Sequence, residues 1–328
     1  MNQKSIAILG STGHIGKNLV SFLLNDSNFK LFLFSRDAKK FESLKKIIPD
    51  SSLSFNSYED FEKNEYNTII NCIGIGNPID FTNIQSSILD ITEFYDNKII
   101  NYVKKFPMTC YINLSSGAVF GQEFNTPVND SSFSKLDINK SNQGYLYTVS
   151  KIYSEAKHRS LSDLNIMDLR IFGFFSRFID LNGGFFMSEL IKAIKNNSKF
   201  ITDEIDMMRD YVSPSDFYAL IKNCILNKNN DAYDVYSKEP ISKFKILQEF
   251  SSKFDLRFTI KGKIDSISPT GFKQKYYSLS RKAAKIDYFP KLSSLETILN
   301  ESSFILKNYW VSFVYNVPEK SQSINNCI

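Results

Sequence analysis

The sequence predicts an α/β fold in which a parallel sheet is covered by helices on both faces. Three observations carry that expectation. Short apolar runs alternate with amphipathic stretches through the first half of the chain. Runs such as "TIINCI" are continuously apolar, the pattern of strands buried on both sides. The first run breaks directly into a glycine-rich turn, and helical periodicity follows.

Taken in order, "SIAILG" reads as a buried strand and "IGKNLVSFLLN" as a helix. "KLFLFSR" is a second strand, and "FESLKKII" a helix ended by Pro49. "YNTIINCIG" is a strand, followed by one long helix over "FTNIQSSILDITEFYDNKIINYVKKF". "TCYINLSSGAVFG" is a strand running into a glycine-rich turn, "GYLYTVSKIYSEAKHRSL" a helix, and "IMDLRIFGFF" a strand. After about residue 176 the rhythm loosens. Helices are expected at "GGFFMSELIKAIKNN", "PSDFYALIKNCIL" and "SKFKILQEFSSKF", with mixed strand at "KFITDEIDMMRDYV" and strands at "YDVYS" and "LRFTIKG". The expected division is a dinucleotide-binding domain over 1–175, re-entered by part of 210–240, and a smaller mixed α/β substrate-binding region over 176–328.

Composition narrows the function classes. The 328 residues are 42% hydrophobic and 23% charged, enough for a sizeable core. The net charge of +5 comes from scattered side chains, which suits an anionic small molecule better than nucleic acid. Four cysteines stand far apart with no CxxC pair, as for reduced thiols in a cytoplasmic protein. No apolar stretch approaches the ~20 residues that span a bilayer. "NYWVSFVYNV" is apolar but short, and its aromatics would pack on the body or on a partner. Only His14 and His158 are present, which leaves almost nothing to build a Ser-His-Asp triad or a His-rich metal site; no metal is expected.

The chemistry starts at "GSTGHIG", residues 10–16. Gly10 permits the tight turn, Gly13 lets the backbone approach a pyrophosphate, and Gly16 lets the helix pack on the strand. Ser11, Thr12, His14 and Ile15 complete the loop, and the helix N-terminus offers N–H groups to phosphate. This is the setting of a Rossmann-type dinucleotide site, in the GxxGxxG spacing of short-chain dehydrogenases; a turn needed only for packing is the alternative. The second strand ends in "FSRD". Ser35 and Arg36 suit a 2′-phosphate and Asp37 comes slightly late for a ribose hydroxyl, so NADP is favoured, with NAD possible.

"YLYTVSK" places Tyr147 one helical turn before Lys151. A tyrosine hydroxyl, with a pKa of ~10 in isolation, becomes a useful acid or base where nearby positive charge favours the phenolate. Lys151 supplies an ammonium and a hold on the nicotinamide ribose. Ser116, at the end of the strand "YINLSSGAVFG", reaches a substrate oxygen. Together they form a proton relay beside a hydride carrier. Tyr145 and Tyr153 lack a lysine at that spacing and are expected to pack or face solvent.

With these motifs the chain resembles the extended short-chain dehydrogenases of the NAD-dependent epimerase/dehydratase family, nucleotide-sugar enzymes. The matches run over nearly the whole chain: "ILGSTGHIG", "NCIG", "NLSSGAVFG", "YTVSK", "LRIFGFFS", "RDYVSPSD" and "YYSLSRKAAKIDYFP". The resemblance implies Ser116, Tyr147 and Lys151 as the catalytic set. It implies cofactor contacts from Cys72, Ile73 and Gly74, and a contact from Arg209 to a substrate diphosphate. A salt bridge to Asp206 or Asp210 is the alternative for Arg209. It also implies a nucleotide-diphosphate sugar as substrate and a homodimer through the helices near 82–106 and 143–160.

Departures from the family pattern matter. The Asp-Glu pair of the 4,6-dehydratases is replaced by Gly117 and Ala118, and Ala118 also stands where the fucose-synthase type has its cysteine. The usual Asn is Gly173 and the usual His is Ser213. Simple hydride chemistry remains. The first expectation is an NADPH-dependent 4-ketoreductase in deoxy-sugar synthesis for a surface glycan. A 4-epimerase holding NAD is the alternative, then a carbonyl reductase outside sugar metabolism. A non-catalytic dinucleotide-binding scaffold or sensor is the alternative of another class.

Overall fold

The computed structural model describes residues 3–74, 87–136, 139, 143–262 and 273–315. Its frame is built by β1 (Lys4–Leu9), α1 (His14–Leu23), β2 (Phe29–Phe34), α2 (Ala38–Ile47), β3 (Phe55–Asn56), β4 (Thr68–Asn71), α3 (Ser87–Lys105), β5 (Cys110–Ser116), α4 (Gln143–Arg159) and β6 (Ile166–Ile171). The strands alternate their side chains between two cores. Ile6 and Ile8 of β1 face a cluster with Leu19, Val20 and Leu23 of α1. Ala7 and Leu9 face the opposite cluster with Ile99 and Val103 of α3. Each fully buried aliphatic of this kind stabilises the fold by about 1.5–3 kcal/mol.

One parallel sheet of seven strands results, in the order β3-β2-β1-β4-β5-β6-β9, where β9 (Asp231–Val235) is the short strand expected at "YDVYS". The order reverses between β1 and β4, and the carboxyl ends of these strands therefore open a crevice. The chain after β6 adds α5 (Phe186–Lys195), β7 (Phe200–Thr202), β8 (Met208–Arg209), α6 (Pro214–Leu226), β10 (Ile241–Ser242), α7 (Lys243–Phe254), β11 (Phe258–Ile260), β12 (Lys275–Tyr276) and α8 (Ser294–Tyr315), and of these α6 returns to the sheet and packs in the core with α1. Two small ladders, β10-β8-β12 and β11-β7, replace the mixed strand expected at "KFITDEIDMMRDYV".

Several details refine the sequence reading. The glycine-rich turn expected after β5 is a 3-10 turn over Gly117–Phe120. The long helix is described from Ser87; residues 81–86 of the expected span lie outside the described residues. The start of "NYWVSFVYNV" continues α8 to Tyr315, and its last two residues lie outside the described residues.

Between the sheet and α3/α4 lies a buried polar cluster. His158 Nε2 is 2.7 Å from Asp96 Oδ1, and His158 Nδ1 is 2.9 Å from Asp168 Oδ1. Tyr111 Oη donates to Asp96 at 2.9 Å, and Asn113 Nδ2 donates to Asp168 at 2.7 Å. Burial opposes charge on His158, but the two carboxylates outweigh it and raise its pKa to about 9. The folded value is above the ordinary ~6.5. The stabilisation is therefore complete below the unfolded value and lost as pH rises through the folded one. The unfolding free energy should stay level near pH 6 and fall between about pH 7 and 9.5. His158→Gln should lose roughly 3–5 kcal/mol at pH 6 and flatten that fall. An equally steep fall in the variant, followed by chemical denaturation, would assign the titration to another group.

Candidate active site

The turn after β1 is shaped by what it excludes. Gly10 has φ +75°, and a Cβ there would stand 2.9 Å from the Cys72 carbonyl carbon and oxygen. A Cβ on Gly16 would meet the Gly10 carbonyl oxygen at 2.3 Å. Backbone lies in both directions, so neither position accepts a side chain. Gly13 caps α1 without a side-chain hydrogen bond, and no acidic residue stands in the first turn. The first N–H groups of α1 thus lack side-chain acceptors while the helix dipole favours an anion. This cradle fits the pyrophosphate of a dinucleotide.

The other loop residues have distinct places. Ser11 Oγ donates to the Phe34 carbonyl at 3.0 Å, and Thr12 Oγ1 is 3.1 Å from Ser35 Oγ. Ile15 packs on the core. The His14 Nε2 stands 2.8 Å from Ser176 Oγ, and its ring lies against Phe174. Burial pushes its pKa down to about 4, and nearby Lys17 adds to the shift, so the imidazole is neutral.

At the end of β2, the Asp37 carboxylate accepts the Lys39 and Lys40 N–H groups and caps α2. Arg36 is exposed, with no ion pair or hydrogen bond of its guanidinium among the described residues. Tyr58, missed by the sequence reading, accepts the Gly10 N–H at 3.0 Å and packs its ring 4.8 Å from Tyr95. Beyond β4, the Cys72 N–H bonds Leu9 and the Ile73 N–H bonds the Asn71 side chain, which brings this segment alongside Gly10. Gly74 ends the described stretch. Burial pushes the Cys72 thiol far up, so it is no nucleophile.

Ser116, Tyr147 and Lys151 converge at the carboxyl end of β5. Lys151 Nζ donates to the Leu114 carbonyl at 3.1 Å and lies 5.7 Å from the Tyr147 ring centroid. One turn further along α4, Glu155 accepts from Ser115 Oγ at 2.6 Å and from Arg170 Nη2 at 2.6 Å. Tyr145 is buried and Tyr153 is exposed. Ser116 Oγ accepts the Ala118 N–H at 3.2 Å and stands 3.1 Å from Tyr276 Oη. Glu155 could have been found from its helical spacing after Lys151. Tyr276 could not, because β12 is only two residues long and carries no period of its own.

The departures have steric causes. A Cβ on Gly117 would fall 2.4 Å from the Phe172 ring, and one on Gly173 would fall 2.3 Å from the Asp210 carbonyl oxygen. Ser213 caps α6 by accepting the Asp216 N–H. Arg209 makes no salt bridge with Asp206 or Asp210. Its Nη1 donates to the Met208 and Lys273 carbonyls at 2.8 and 2.7 Å. Asp210 instead accepts the Ser237 N–H, and Asp206 the Phe244 N–H. Burial lowers the pKa of Lys273 to about 8, and Arg209 adds to the shift. Two cations thus lie together with no ion-paired acid among the described residues.

Fold and site define a dinucleotide-binding α/β enzyme. A family model described as the NAD-dependent epimerase/dehydratase family matches residues 6–237. The chain belongs to that family, an enzyme of the extended short-chain dehydrogenase/reductase type. A search of curated proteins gives no match. Among solved structures, a UDP-N-acetylglucosamine 4-epimerase from Methanobrevibacter ruminantium M1 in complex with UDP-N-acetylmuramic acid is similar, with TM-score 0.78 and 15% identity over 94% of this chain and 100% of that one. A UDP-glucuronic acid 4-epimerase from Bacillus cereus in complex with NAD gives 0.72 and 15% over 93% and 99%. A dTDP-glucose 4,6-dehydratase from Bacillus anthracis str. Ames in complex with NAD gives 0.74 and 14% over 93% and 97%. At these identities the likeness is one of fold.

Proposed function

We propose that the enzyme is an NADP(H)-dependent 4-ketoreductase of a nucleotide-linked sugar, serving deoxy-sugar synthesis for a surface polysaccharide. The observation that carries this reading is the composition of the β5 end. Ser116, Tyr147 and Lys151 are together there, while Phe172 fills the space beside Gly117 where an elimination acid would stand. The Gly10–Gly16 turn, Arg36 and Lys151 would hold NADPH, which when bound would supply the hydride for the carbonyl carbon. Ser116 donates to the carbonyl oxygen, and Tyr147 Oη passes it a proton, giving the alcohol. Lys151 Nζ, fixed on the Leu114 carbonyl, stands beside the Tyr147 ring. Arg209 and Lys273 supply the positive field for the substrate's diphosphate. Three free thiols among the described residues fit a reducing cytoplasm.

Purified enzyme should oxidise NADPH with a panel of UDP- and dTDP-linked 4-keto sugars, followed at 340 nm. Tyr147→Phe should remove turnover and leave NADPH binding nearly intact. A 4-epimerase uses the same three residues, and the neighbouring epimerase folds favour it as the second reading. Protein that purifies with tightly held NAD and interconverts UDP-sugars without net NADPH oxidation would establish that reading instead. NADPH binding with no turnover, unaffected by Tyr147→Phe, would mark a scaffold.

The cofactor preference rests on Arg36, since Asp37 is committed to α2. Arg36→Ala should weaken NADPH by about tenfold or more while changing NADH little, the scale of a charge-assisted contact. Equal losses for both cofactors, by fluorescence titration, would refute the 2′-phosphate role.

We also propose a homodimer through α3 and α4. Phe94 on α3 is 62% exposed and Tyr153 on α4 is 48% exposed, and Tyr153 Oη donates to Glu93 of α3 at 3.3 Å. Light scattering should give twice the chain mass, and Phe94→Asp should halve it; a wild-type monomer at micromolar concentration rules the dimer out.

A further inference from the structure

Tyr276 on β12 stands opposite Arg209 on β8, and its ring packs edge-on against Phe124 at 4.7 Å and tilted against Phe172 at 5.2 Å. It is 8% exposed, and its Oη lies 3.1 Å from Ser116 Oγ, itself 7% exposed. Two hydroxyl protons belong to this pair, but only one can lie between the oxygens. Among the described residues Ser116 Oγ is the one hydrogen-bond acceptor beside the phenol, since the Ala118 N–H that also faces it can only donate. If Ser116 donated, the phenol proton would be buried without an acceptor, at a cost of about 1–3 kcal/mol. Burial also raises the Tyr276 pKa, which keeps the phenol protonated. Ser116 Oγ further accepts the Ala118 N–H at 3.2 Å, a group that also faces the Tyr276 oxygen. A hydroxyl has two lone pairs and one proton. With both lone pairs filled, the Ser116 proton must point away from Tyr276 and Ala118.

The geometry points to Tyr276 as a positioning residue that donates to Ser116 and, with the Ala118 N–H, fixes Ser116 as the donor to the substrate's carbonyl oxygen. The inference rests on the proposed role of Ser116. A hydroxyl that accepts strongly also donates more strongly, so the phenol sharpens as well as aims the Ser116 bond.

Neutron diffraction from deuterium-exchanged crystals of the free protein reads the donor directly. The Tyr276 deuteron should lie on the line to Ser116 Oγ, and the Ser116 deuteron off it; the reverse arrangement overturns the inference whatever the substrate. In turnover with the 4-keto nucleotide-sugar panel, Tyr276→Phe keeps the ring and its packing. It should lower kcat about tenfold, the scale of one hydrogen bond. The melting temperature and NADPH affinity should be unchanged. In a Ser116→Ala background the same change should cost nothing more. An equal loss in both backgrounds refutes action through Ser116. So does an unchanged or raised kcat in the single variant, the latter meaning that the phenol blocks Ser116. If wild-type protein turns over none of the panel, the ketoreductase reading fails and the neutron result alone decides the role of Tyr276.

Discussion

The polar seam between α4 and the sheet sets the rest of the site. Along one face of α4, Lys151 bonds the Leu114 carbonyl, Glu155 bonds Ser115 and Arg170, and His158 sits between Asp96 and Asp168. These contacts recur about one helical turn apart, so the helix can neither slide nor rotate on β5 without breaking several at once. An apolar seam would tolerate a small shift, because the hydrophobic effect has no direction. Buried charges do not, since losing one partner leaves the other uncompensated. Tyr147 lies one turn before Lys151 on the same helix, and its position relative to Ser116 follows from that registration.

This seam also explains what could be read from the sequence. The glycine turn, the strand ending in Ser116 and the Tyr147–Lys151 spacing are local patterns with strict periods, and each falls where its period places it. Arg170 and Asp168 meet α4 across the sheet, so no spacing links them to it. Lys273 looks like any surface lysine until burial lowers its pKa. Two-residue strands such as β8 and β12 exist only through their pairing in the β10-β8-β12 ladder, so neither could be seen in isolation. Asp37 comes slightly late after the second strand for a ribose contact, and the N-terminus of α2 takes its carboxylate as a cap.

The aromatic richness of the chain has a local consequence at the site. Phe124, Phe172 and Tyr276, with Val128, form a small core directly over the β5 end. Phe172 occupies the volume that a side chain on Gly117 would need, so packing excludes the acid-base pair as firmly as the substitution itself does. Ala118 is buried beneath the same rings. Ser116 and Tyr276 bring their hydroxyls together at the edge of this apolar cluster.

The two-rung pairing of β8 with β12 ties this apolar cap to the cationic side of the crevice. Arg209 and Tyr276 are opposite residues on that ladder, and the Arg209 guanidinium bonds the Lys273 carbonyl just before β12. Two neighbouring cations with no ion-paired acid repel one another, and in a half-buried place that repulsion is stronger than in water. An anion between them would relieve it and stiffen the ladder. The same ladder holds the Tyr276 phenol against Ser116. In the proposed reading, then, recognition of a diphosphate and orientation of the Ser116 proton are not separate features. They share one pair of backbone strands, and a change in the first acts on the second through about four residues of sheet.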